Sequence, residues 1–91
     1  GFIMDSLGWV LFRRGDVDGA VKQLERALAQ SPDEPVILEH LGDAYRKAAN
    51  HAEALKQYQR ALDVNKAGQD QERLRSKIRD VKVQHSARAE P

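Results

Sequence analysis

Residues 20–28 read Ala20-Val21-Lys22-Gln23-Leu24-Glu25-Arg26-Ala27-Leu28, and 34 positions later residues 54–62 read Ala54-Leu55-Lys56-Gln57-Tyr58-Gln59-Arg60-Ala61-Leu62. The echo continues upstream at the same offset: Leu7-Gly8 is answered by Leu41-Gly42, and Arg13 by Lys47. A period of this size marks supersecondary units that bury their apolar faces only by stacking on one another. A chain built this way offers a surface shared between units, and function is sought there before any catalytic pocket.

Each unit reads as two helices. Met4, Leu7, Gly8 and Leu11 fall at i, i+3, i+4 and i+7, on one face of a helix over about 2–14. Gly8 sacrifices roughly 1 kcal/mol of helix propensity relative to alanine, so its recurrence as Gly42 predicts a close backbone approach, with Ala20 as the small partner. Gly15-Asp16 ends the first helix and caps the next, which presents Ala20, Leu24, Ala27 and Leu28 on one stripe over about 17–29. Ser31-Pro32-Asp33-Glu34-Pro35 then supplies a break, a cap and a proline suited to a first helical turn.

The second unit repeats this logic, with a helix over about 35–48 that packs through Leu38, Leu41, Gly42 and Tyr45. At its turn Ala49 replaces the glycine, while Asn50 with Glu53 three residues on has capping-box spacing ahead of a helix over about 51–64. Lys66-Ala67-Gly68 interrupts the pattern. A last helix over about 70–84 carries Leu74, Ile78 and Val81 at i, i+4 and i+7 and is otherwise polar, as the lid of a stack should be. Residues 85–91 lack periodicity and are expected to form a frayed tail.

The arrangement resembles the tetratricopeptide repeat family, a 34-residue helix-turn-helix unit. The family's signature positions hold Met4, Leu7, Gly8, Leu11, Ala20, Leu24, Ala27 and Pro32 in the first copy, and Leu38, Leu41, Gly42, Tyr45, Ala54, Tyr58 and Ala61 in the second. Lys66 stands where a closing proline is usual. The resemblance implies an all-α solenoid of about five helices. Its parts are one unit at 1–34, a second at 35–68, a C-terminal capping helix at 69–84 and a flexible tail at 85–91. Two units fall short of the three or more that stable stacks generally need, so further units are expected before Phe2.

By the same resemblance the protein is expected to be a non-catalytic module that binds a protein or peptide partner in a groove lined by the first helix of each unit. The family's groove positions fall on Phe2, Asp5, Ser6, Trp9, Phe12 and Arg13, and on Val36, Glu39, His40, Asp43, Arg46 and Lys47. Trp9 and Phe12 are the more telling members, because large aromatics and arginine dominate binding where a partner is fully desolvated. For Trp9 the groove is one reading; the alternatives are packing against a preceding unit outside this chain or shielding the hairpin edge. One subclass of the family grips a chaperone tail's C-terminal carboxylate with lysines and asparagines. Asp5, Trp9 and Asp43 occupy those positions here, so such a tail is not the expected ligand. The alternative function is self-association as an assembly element, through a first-helix face formed by Phe2, Ile3 and Val10.

Composition narrows the remaining classes. A net charge of +1 gives no general drive toward nucleic acid or an anionic membrane, and neither is an expected partner. Arg73, Arg75, Lys77, Arg79 and Lys82 gather on the last helix, which a basic amphipathic helix could use on a membrane surface; a solvated lid is the favoured reading. Without cysteine there are no disulfides or thiolate metal sites, and His40, His51 and His85 share no helical face, so no metal or cofactor is expected. Ser6, Ser31, Ser76 and Ser86 lie in no nucleophile motif, and there is no glycine-rich phosphate loop. Apolar runs are too short to span a bilayer, and cytoplasmic and periplasmic placements both stay open.

Overall fold

The computed structural model describes residues 2–65, 68 and 71–89, with side chains described for 7–65, 68 and 71–86. The chain forms α1 (Phe2–Arg13), α2 (Val17–Gln30), α3 (Pro35–Lys47), α4 (His51–Val64) and α5 (Gln71–Ala89), and among the described residues there is no strand. Consecutive helices pack against one another, and α1 also touches α3. The result is a helical stack in which the sequence repeat becomes a structural one.

Both hairpins close by the same device. After α1 the amide of Asp16 donates to the Leu11 carbonyl at 2.9 Å, and that of Gly15 to Phe12 at 3.1 Å. After α3 the amides of Asn50 and Ala49 repeat these bonds to Tyr45 and Arg46, at 2.9 and 3.0 Å. This paired closure places one residue in the left-handed region, where Gly15 sits at φ 87° and Ala49 at φ 61°. The Asp16 side chain then accepts from the amide of Gly19 at 3.0 Å, and Asn50 from that of Glu53 at 3.5 Å, capping α2 and α4 as expected.

The core forms where stripes from adjacent helices meet. Ala20 and Leu24 of α2 pack with Leu41 and Ala44 of α3; Leu38 of α3 joins Ala54, Tyr58 and Ala61 of α4 with Leu74, Ile78 and Val81 of α5. Alanines on the second helix of each unit let the backbones approach, and the larger Leu24 and Tyr58, 34 positions apart, fill the remaining space. Each fully buried Leu, Ile or Val side chain contributes about 1.5–3 kcal/mol. The three-residue stripe of α5 is therefore the main force holding the lid down.

Three details differ from the sequence expectations. The close approach at Gly8 is to the side chain of Leu24: a Cβ there would lie 2.7 Å from Leu24 Cγ, whereas Ala20 offers only its carbonyl oxygen at 3.5 Å. Glu34 precedes α3 and makes no side-chain capping bond, so that helix starts on Pro35 alone. The predicted tail is helical from 85 to Ala89. Residues 84–89 hold no glycine or proline. Adding a residue to an existing helix fixes only its own dihedrals for one more hydrogen bond, so loss of an apolar period is not a stop signal.

Candidate functional site

The repeat brings α1, α3 and α5 side by side, and their facing side chains fall into two zones. Between α1 and α3 the contact is aromatic. The Trp9 ring stacks on Phe12 at a centroid distance of 5.0 Å and an interplanar angle of 10°, and on His40 at 4.3 Å and 19°. Trp9, Phe12 and His40 all remain partly exposed, so the stack presents an edge to solvent. Trp9 thus bridges α1 and α3 within this chain.

Between α3 and α5 the contact is ionic. Arg73 donates to both oxygens of Glu39, from Nε at 2.8 Å and Nη2 at 2.7 Å, a bidentate fork. Lys77 Nζ donates to Glu39 at 2.7 Å and to both oxygens of Asp43 at 3.0 and 3.1 Å. The Tyr58 hydroxyl also donates to Asp43, and Lys77 Nζ lies 5.9 Å from the centroid of the Tyr58 ring. Arg46 reaches Gln84 Oε1 at 3.2 Å and lies 3.9 Å from Asp80.

The electrostatics follow from this crowding. Burial by itself would raise the Glu39 carboxyl, but the bonds and charges of Arg73 and Lys77 outweigh it and hold the group below its ordinary value. Burial and the hydrogen bond to the Asp43 carboxylate push the Tyr58 phenol well up. On the other side of α3, burial and the Glu25 carboxylate, which accepts from the Tyr45 hydroxyl at 2.7 Å, likewise raise the Tyr45 phenol.

An open hollow of about 330 Å³ lies where the two zones meet, lined by Phe12, Asp43, Arg46, Lys47 and Gln84. Of the groove residues expected from the sequence, Phe12, Asp43, Arg46 and Lys47 line this hollow, with Trp9 and His40 in the stack beside it. Arg13 is exposed in the last turn of α1, next to Phe12. Glu39 does not offer an open carboxylate: it is only 8% exposed and both of its oxygens are taken. The side chains of Phe2, Ile3 and Asp5 lie outside the described residues.

The sequence reading missed the contribution of α5 to this site, although a signal was present. Glu39 and Arg73, Asp43 and Lys77, and Arg46 and Asp80 are opposite charges at the 34-residue offset of the repeat itself. The basic helix is therefore partly spent on groove acids. The histidines also differ: His51 and His85 share no helix face, yet α4 and α5 bring their rings to 5.8 Å in an edge-on contact. Among the described residues no group of three or more potential ligands is clustered for a metal, and no helix is long and apolar enough to cross a membrane.

Paired helices in register, each pair stacked on the next with a polar lid over the last, define a helix-turn-helix repeat protein. The sequence profile of the tetratricopeptide repeat matches residues 6–72, and the chain belongs to that family. Members of the family generally mediate protein–protein interaction. No curated protein matches the chain.

Proposed function

We propose that this chain binds a protein partner without catalysis, receiving an extended or helical segment in the hollow between α1, α3 and α5. The observation that carries the reading is the partly exposed Phe12–Trp9–His40 stack beside an open, charged hollow. Aromatic groups held rigidly at the edge of a concavity supply contact area at little entropic cost, while the polar rim fixes orientation. Peptides selected from a random library on this protein test the reading by calorimetry. Their affinity should fall about tenfold or more in Trp9→Ala and Phe12→Ala, as for central aromatic anchors. Selected binders indifferent to both substitutions would place recognition on another face.

A second reading, self-association, is favoured by a separate observation. Leu41 and Ala44 of α3 are buried against α2, but their repeat counterparts Leu7 and Val10 on α1 are each 45% exposed. The surface that α3 uses to join a neighbour is thus bare on α1, and a second copy of the chain is its proposed cover.

A further inference from the structure

Resting on the groove reading above, we infer that the hollow selects an acidic peptide segment carrying a planar apolar side chain, and that α5 sets this preference. By sequence alone the groove looks mixed in charge, with Asp5, Glu39 and Asp43 facing Arg13, Arg46 and Lys47. The fold changes that balance. Both oxygens of Glu39 and both of Asp43 accept bonds from α5, through Arg73 and Lys77, and Asp43 takes the Tyr58 hydroxyl as well. Each acid thus already accepts three bonds, which leaves at most one lone-pair site for a cationic ligand, and each lies beside a compensating charge.

The cations at the other end of the hollow are not matched in this way. Lys47 lines the hollow and Arg13 stands beside Phe12, both exposed, and neither makes an ion pair among the described residues. Arg46 lines the hollow too; its side chain is 29% exposed, held at long range by Asp80 and through Nε by Gln84. Among the groove residues whose side chains are described and their α5 partners, the cations Arg13, Arg46, Lys47, Arg73 and Lys77 outnumber the carboxylates Glu39, Asp43 and Asp80. A ligand that lays a flat side chain against Trp9 and Phe12 therefore meets guanidinium and ammonium groups next to it. Carboxylates on that ligand complete the match, accepting bidentate hydrogen bonds from arginine.

Trp9 is the sole tryptophan in the chain, so its emission reports the groove alone. The probe is a tryptophan-free peptide, acetylated and amidated at its ends, with two phenylalanines flanked by aspartates and glutamates; its counterpart carries lysine at every acidic position. The acidic peptide should change Trp9 emission saturably, with affinity that falls as salt is raised, and the lysine peptide should not. Reversing the two exposed cations, Arg13→Glu with Lys47→Glu, should weaken the acidic peptide at least about tenfold while helicity is unchanged. Lys77→Gln, which uncovers the two acids, should weaken it in the same direction. If the lysine peptide binds as well or better, the charge assignment is overturned while the groove reading stands. If neither peptide perturbs Trp9, the groove reading falls and takes this inference with it. A single-stranded oligonucleotide of equal charge that titrates Trp9 as tightly as the acidic peptide would also overturn the assignment to a protein partner.

Discussion

Ala49 is the residue at which the second unit departs from the first, and its backbone records the cost. It occupies the left-handed conformation at φ 61° that Gly15 occupies at φ 87° in the first hairpin. An L-residue pays about 1 kcal/mol there that glycine does not, so Ala49→Gly should raise stability by about that amount in urea unfolding. An unchanged midpoint would mean the turn is not held in this conformation. The opposite substitution is informative at Gly42, where helix propensity alone predicts a gain of about 1 kcal/mol for alanine. Packing opposes it: the new Cβ would lie 2.5 Å from Tyr58 Cε1, and that ring is fully buried with its hydroxyl bonded to Asp43. Tyr58 has nowhere to swing, so Gly42→Ala should lose about 1–3 kcal/mol as overpacked cores do, and a stabilised variant would contradict the packing described.

The helices themselves were largely legible in the sequence, and α5 shows why part was not. Leu74, Ile78 and Val81 announced its buried stripe, and all three are buried. Its far end and its charged partners did not follow from a hydrophobic period, because polar residues extend a helix and ion pairs link positions that only the stack brings together. The aromatic half of the site was likewise named residue by residue, while its stacking of Trp9 on His40 required the register of α1 against α3. The ion cluster on α5 yields a pH prediction. Glu39 is depressed in the folded chain below its ordinary value of 4.5, so its contribution is present in full above that value and is lost as pH falls through the folded one. Thermal midpoints should decline as the solution is taken from about pH 5 to about pH 3, with α5 amides losing exchange protection first. Glu39→Gln should be less stable at neutral pH by about 1–2 kcal/mol, below the 3–5 typical of a fully buried pair because Arg73 is half exposed. Its acid decline should be shallower than that of the unaltered chain; superimposable pH profiles would remove Glu39 from the account.

At the scale of the whole molecule the two ends of the stack are unlike. One end is closed by α5, whose apolar stripe is buried and whose outward side chains, among those described, are charged or polar apart from Val83. The other end is α1, where Leu7 and Val10 are each 45% exposed on the face that in α3 is sealed by α2. Both side chains are already about half buried, so covering the rest contributes roughly half of the 1.5–3 kcal/mol of full burial each, enough to favour pairing only at raised concentration unless neighbouring residues add to the patch. Light scattering across a concentration series should therefore find a mass that rises from one chain toward two. Val10→Lys puts a charge into the centre of that contact and should keep the mass at one chain throughout, without weakening a peptide held at Trp9 and Lys47. Conversely, Arg13→Glu with Lys47→Glu should spare the dimer. The two faces lie on the same short helix, so this double separation is what distinguishes two independent surfaces from one; if both variants lose both properties, α1 has been disrupted as a whole and the division between groove and assembly face does not hold.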